Sequence, residues 1–207
     1  MRIGRWVLSA AAVAIACLAG GQAAALGSAG NQCLGSSAKR INSRDVRSFK
    51  CVIGAAQKLR ESALTDAQSG FSQCQTEAAA SSEDQVWDTV DQDGSDLATF
   101  ADEGLTAAVD SDGNLATGLA SYKPAYKGNA VKTEELDTAI RSLTNAKSYT
   151  TQFKKKIAKA AADLQSHDCH GVQDEVDPGG ATGAQGRDRD AHTSESNAVA
   201  ALEELAK

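Results

Sequence analysis

Two stretches of the chain repeat a pattern suited to holding a hard cation. Asp91-Gln92-Asp93-Gly94-Ser95-Asp96 and Asp110-Ser111-Asp112-Gly113-Asn114 both begin Asp-x-Asp-Gly, and both run on to Leu-Ala-Thr, at Leu97-Ala98-Thr99 and Leu115-Ala116-Thr117. Calcium takes carboxylate and amide oxygens gathered on a turn, and Asp91, Asp93 and Ser95 stand at the first three ligand spacings of a calcium-binding loop. The match then departs from the pattern. Asp96 stands where such a loop has glycine and Asp102 where it has glutamate, while the second stretch has Leu115 and Ser121 at those places. Asp91, Asp93, Asp96, Asp110 and Asp112 are therefore candidate calcium ligands, set against a simpler account in which they form an acidic helix face broken or capped at the glycines.

The other chemistry-bearing residues have structural readings as well. His167-Asp168-Cys169-His170 gathers metal-ligand types, with two histidines three apart, but a disulfide at Cys169 removes the best ligand. Lys154, Lys155, Lys156 and Lys159 form a basic cluster fit for an anionic polymer or lipid headgroup, or for pairing within the fold. Gly180, Gly183 and Gly186 lack the preceding strand and the following Lys-Ser or Lys-Thr of a phosphate loop, so they read as linker. There is no Gly-x-Ser-x-Gly, and the carboxylates lie among other acids with nothing apolar to raise a pKa. No catalytic or cofactor-binding residue is assigned, and calcium is the one cofactor considered. The expectation is a non-enzymatic binding or structural protein; the rivals are a calcium-binding module and a hydrolase whose site assembles only in three dimensions.

Charge is sorted along the chain. Residues 61–122 carry thirteen acids and no lysine or arginine, residues 39–60 and 123–160 are basic, and residues 161–207 are acidic again. The net charge is −6, which excludes a general affinity for nucleic acid or an anionic membrane surface. The sorting predicts that the acidic middle segment folds back between its basic neighbours; a cationic partner is the other explanation.

Residues 1–25 read as an export signal: a basic start to Arg5, an apolar run from Trp6 to Leu18, and small residues up to Ala25. Nothing after it reaches the ~18 apolar residues of a membrane span. Ala14-Ile15-Ala16-Cys17 partly resembles a lipoprotein cleavage motif, which would make the chain a lipid-anchored surface protein through Cys17. The expected location is the cell envelope or outside the cell, with an unknown protein or envelope component as partner.

Helical periodicity organises the remainder. An N-terminal segment, 26–42, precedes a helical domain, 43–171, and a low-complexity flexible tail, 172–207, with a short terminal helix near Ala198 to Ala206. Ser43 caps a helix with Val46, Phe49, Ile53, Ala56, Leu59, Ala63, Ala67, Phe71 and Cys74 on its apolar stripe, running to about Ala80. Ser81 to Asp84 read as the next cap. From there Val86, Val90, Leu97, Phe100, Leu105, Leu115 and Leu119 hold a helical phase to Pro124, in one piece or broken at Gly94 and Gly113. Thr133 caps a third helix through Leu136, Leu143, Phe153, Ile157 and Leu164 that ends near Cys169.

These lengths predict an all-α, elongated up-down-up three-helix bundle of about 55 Å at 1.5 Å per residue. After the signal, four cysteines remain, an even number consistent with two disulfides. Cys51 and Cys74 are too far apart on one straight helix to join, whereas an up-down-up chain brings the ends of its first and third helices together. The expected pairs are Cys33 with Cys51 and Cys74 with Cys169.

Overall fold

The computed structural model describes residues 40–80, 85–177 and 179–207. The export signal, Cys17, Cys33 with its expected bond to Cys51, and the Ser81 to Asp84 cap lie outside the described residues. Among those described, the secondary structure is entirely helical: α1 Ser43–Ala79, α2 Asp88–Ala120, α3 Ala130–Gln165, α4 Cys169–Val176 and α5 Ala184–Leu205, with a 3₁₀ turn at Lys123–Tyr126. None of these helices is long and apolar enough to cross a membrane.

Five helices replace the expected three. The largest difference is α5, a 22-residue helix in the stretch read as a flexible tail. Two caps also differ. Asn42, not Ser43, caps α1: its Oδ1 accepts from the amides of Arg44 and Asp45, and Asp45 Oδ2 accepts from the Asn42 amide at 3.0 Å. That reciprocal exchange satisfies amides a helix start leaves open. Asn129 caps α3 by accepting from the Lys132 amide at 3.0 Å, while the Thr133 hydroxyl turns back to donate to the Tyr126 carbonyl.

The helices are shared between two compact units, one of residues 1–58, 107–148 and 191–207, the other of residues 59–106 and 149–190. In the first unit, Phe49, Ile53, Leu119, Leu136, Leu143 and Leu202 belong to one buried cluster. The backbone enters it at Ile41, whose amide donates to the Tyr126 hydroxyl at 2.8 Å. In the second unit Leu97, Leu105, Phe153, Ile157, Leu164 and Val172 are buried among small residues such as Ala63, Ala67 and Ala161.

The apolar stripe read for α1 is the stripe it buries, apart from Phe71, which is half-buried. The stripe read for α2 holds from Val90 onward, whereas Val86 is exposed. On α3, Lys147 is exposed and lays its side chain against Gly113 of α2, while Ala146 takes the buried position beside it.

α2 runs unbroken through its glycines, and Gly94 has a packing reason. A Cβ there would lie 3.0 Å from the Ala161 carbonyl oxygen and 2.9 Å from Gln165 Cγ, so α2 and α3 approach through a missing side chain. Gly54 on α1 has nothing within 4 Å of its would-be Cβ. Alanine in place of glycine gains ~1 kcal/mol of helix propensity, and overpacking costs ~1–3 kcal/mol. Gly54→Ala is therefore expected to raise the urea midpoint and Gly94→Ala to lower it. Equal shifts for the two variants would contradict the close approach.

Candidate functional site

Two places in the second unit concentrate polar chemistry. At the first, Arg60 sits on the apolar stripe of α1 with its side chain fully buried. Its Nε donates to Asp188 Oδ1 of α5 at 2.8 Å, and a terminal guanidinium nitrogen donates to the Thr150 hydroxyl of α3 at 3.3 Å. Thr150 is also fully buried. A buried cation requires such partners, because burial removes its hydration. In the first unit α5 makes a parallel contact: Gln57 Nε2 donates to Oε2 of the buried Glu195 at 2.8 Å.

The second place is the corner after α3. The chain turns at His167, whose φ of +59° is left-handed, and histidine is among the residues enriched there. The turn lays the imidazole on the Trp87 indole, with ring centroids 4.2 Å apart and planes 15° from parallel, and sets Nε2 2.9 Å from Asp91 Oδ1. Asp168 then caps α4 by accepting from the Gly171 amide at 2.9 Å. Cys169 joins Cys74 of α1, with Cα atoms 5.6 Å apart. The expected Cys74 to Cys169 bond is thus present, and α4 begins where α3 was expected to end.

The five candidate calcium ligands do not form loops, because both stretches lie inside the continuous α2. Asp91, Asp93 and Asp96 belong to the second unit, Asp110 and Asp112 to the first. Asp91 meets His167, Asp96 accepts from Gln92 at 2.7 Å, Asp110 is exposed and Asp112 is buried. Among the described residues, no group of three or more histidine, cysteine, aspartate or glutamate side chains is placed to hold a metal ion. His170 lies apart from any such set, 3.3 Å from Asp174.

Several basic residues find acids near the C-terminal end of the sequence. Lys50 pairs with Glu203, Arg60 with Asp188, and Lys156 and Lys159 both with Glu175. Lys154 does reach the middle block, 3.6 Å from an Asp102 that is 88% exposed. Burial pushes the Glu175 carboxyl up, but the two lysines outweigh it and hold the group below its usual range. Asp163 goes the other way, raised by burial against the pull of Lys159.

Asp66 of α1 is pushed up to about 6 by burial, with the nearby Asp93 adding to the shift and the Ser62 hydroxyl opposing it. An unfolded aspartate titrates near 3.9. Between these values the native state holds the proton more tightly, so this group's stabilising contribution is present at low pH and is lost as pH rises towards 6. The full shift would be worth about 3 kcal/mol; Asp66 is partly open to water, and screening leaves ~1–2 kcal/mol. Asp66→Asn is expected to raise stability at pH 7 and to flatten its decline between pH 4 and 6. Urea midpoints at pH 4.5 and pH 7 measure both effects, and an unchanged difference between them contradicts the assignment.

The first unit also carries a groove of about 780 Å³ lined by Lys123, Thr133, Glu134, Asp137, Ile140 and Arg141. Lys123 and Asp137 bridge at 2.8 Å, so its charges are mixed and partly satisfied.

Sequence reasoning missed Arg60, Asp188, Gln57 and Glu195. Two signals for them exist: an arginine standing in the stripe between Ala56 and Ala63, and alanines at 184, 191 and 198 with Asp188, Glu195 and Leu202 each four residues on. No protein-family model, no curated protein and no solved structure matches the chain.

Proposed function

We propose that the chain is an exported, non-enzymatic helical protein of a bacterial cell envelope or secretome, acting by binding a partner or as a structural element. The observation that carries this reading is the bond between Cys74 and Cys169, two cysteines 95 positions apart. Such bonds persist in oxidising compartments and are rare where thiols are kept reduced. Residues 1–25 supply the route there. The interior polar groups support a scaffold role: Arg60, Thr150, Asp188, Gln57 and Glu195 hold helices to one another, which leaves recognition to the surface.

Expression of the full chain in a bacterial host, with thiols alkylated before fractionation, tests this. The expected product lies outside the cytoplasm, begins after Ala25, and yields a Cys74 to Cys169 linked peptide. A product retained in the cytoplasm with both cysteines alkylated would overturn the reading. A product that begins at a lipidated Cys17 would keep the location and make the chain a surface lipoprotein.

A further inference from the structure

The helix α5 is held unevenly along its length. Between residues 184 and 197 its buried apolar side chains are Ala184 and Ala191, and its remaining inward contacts include Asp188 with Arg60 and Glu195 with Gln57. Between 198 and 205 it buries Ala198, Ala201, Leu202 and Leu205 in the cluster of the first unit. By contrast α3 buries Phe153, Ile157, Ala160, Ala161 and Leu164 over a stretch of similar length. Apolar burial stabilises in proportion to area, so the first two-thirds of α5 depend on their polar contacts to a degree no stretch of α3 does.

The inward face of α5 also repeats every seven residues. Ala184, Ala191 and Ala198 are interchangeable under a shift of seven, and would allow the helix to slide by two turns. The positions four residues after them are not interchangeable, because they hold Asp188, Glu195 and Leu202. In one direction the shift carries Glu195 into the apolar place of Leu202 and leaves Arg60 facing Ala181. In the other it withdraws Leu202 from its apolar place and sets it against Gln57, the partner of Glu195. A buried carboxylate among apolar groups and a buried guanidinium without an acid are both strongly disfavoured. Buried polar residues are a known means of fixing helix register.

We propose that α5 is a strap docked in a single register by Arg60 and Gln57, and that its residues 184–197 open ahead of the rest of the fold. The segment before it suits an opening strap. Asp177 adopts a left-handed φ of +44°, and Gly179, Gly180 and Gly183 follow. Opening exposes Arg60 and Thr150 on the α1 and α3 faces that the strap covers in the second unit. Segments with few buried apolar contacts are those that unfold locally at low free energy.

Hydrogen-exchange mass spectrometry on the full oxidised chain tests both parts. Amides of residues 186–197 are expected to exchange at least ~10-fold faster than those of 150–164. Asp188→Asn is expected to speed the α5 amides by a further ~10-fold and leave 150–164 unchanged, since the charge that pairs the strap with Arg60 is lost. In the variant that combines Arg60→Met, Asp188→Met, Gln57→Leu and Glu195→Leu both polar register marks are gone, and more than one set of α5 amide resonances is expected by NMR. Equal protection of 186–197 and 150–164 in the wild type overturns the strap, as does an Asp188→Asn variant that speeds both segments alike. A single set of α5 resonances in this fourfold variant overturns the register lock. If it does not fold, Arg60→Met with Asp188→Met and Gln57→Leu with Glu195→Leu are examined separately; each retains one mark and is expected to keep a single set, and a second set in either overturns a lock held by both.

Discussion

Replacing Cys74 and Cys169 with alanine is expected to cost about 4 kcal/mol of unfolding free energy and to lower the melting temperature by roughly 10 °C. The bond closes a long loop, with 95 positions between its ends. Chain-entropy estimates run from about 3 kcal/mol for a 15-residue loop to about 4.7 kcal/mol for 100 residues. The second unit has little with which to offset that loss, because many of its buried side chains are alanines, each with little area to remove from water. Cys74 is fully buried, so serine would add an unsatisfied hydroxyl, and alanine gives the cleaner measurement. Urea unfolding of the variant against the oxidised wild type reads the effect. A loss below ~1 kcal/mol would mean that the α3–α4 corner is already held against α1 without the bond, leaving the His167 stack on Trp87 and the Asp91 contact as the dominant ties there.

Arg60→Ala is expected to destabilise by ~3 kcal/mol. Breaking a buried ion pair by removing one partner costs ~3–5 kcal/mol because the other charge stays behind. Asp188 retains 21% of its side-chain exposure, so water recovers part of its solvation and the lower end applies. The Thr150 hydroxyl loses a donor in a fully buried place. Arg60→Lys keeps the charge but not the planar fork that reaches α5 and α3 together, so it is expected to recover only part of the loss. Guanidinium-free urea titrations of the three proteins give the order wild type, Arg60→Lys, Arg60→Ala. Full recovery by lysine would show that charge alone, not the bridging of two helices, is what Arg60 supplies.

The elements that were legible are those whose apolar residues identify their own face. Phe49, Ile53 and Leu59 on α1, and Phe153, Ile157 and Leu164 on α3, are large enough to mark a stripe, and the Cys74 to Cys169 bond follows from where those helices end. Gly94 was ambiguous because propensity counts glycine against a helix. Its value lies in the neighbouring backbone of α3, which no local pattern displays. α5 was misread for a related reason. Its inward face is alanine and acid, a composition that taken alone resembles a linker, and Asp188 and Glu195 turn inward only because Arg60 and Gln57 lie more than a hundred residues earlier. The charge sorting pointed to pairing within the chain, and such pairing occurs. Many of the acids that serve α1 and α3 belong to α4 and to α5, of which the sequence predicts as helix only the stretch near Ala198 to Ala206. Both copies of the Asp-x-Asp-Gly repeat lie within one continuous helix, so neither a loop nor a helix break forms at their glycines.

The position of α5 also bears on how the chain reaches its native state. Helical proteins usually fold fast because their contacts are local. Here the ties Arg60 to Asp188, Gln57 to Glu195 and Lys50 to Glu203 span 128, 138 and 153 positions. On a growing chain, α1 is complete long before the residues that neutralise its buried guanidinium have been made. Arg60 must therefore remain hydrated until Asp188 reaches it, and burial of this guanidinium belongs to a late step of folding.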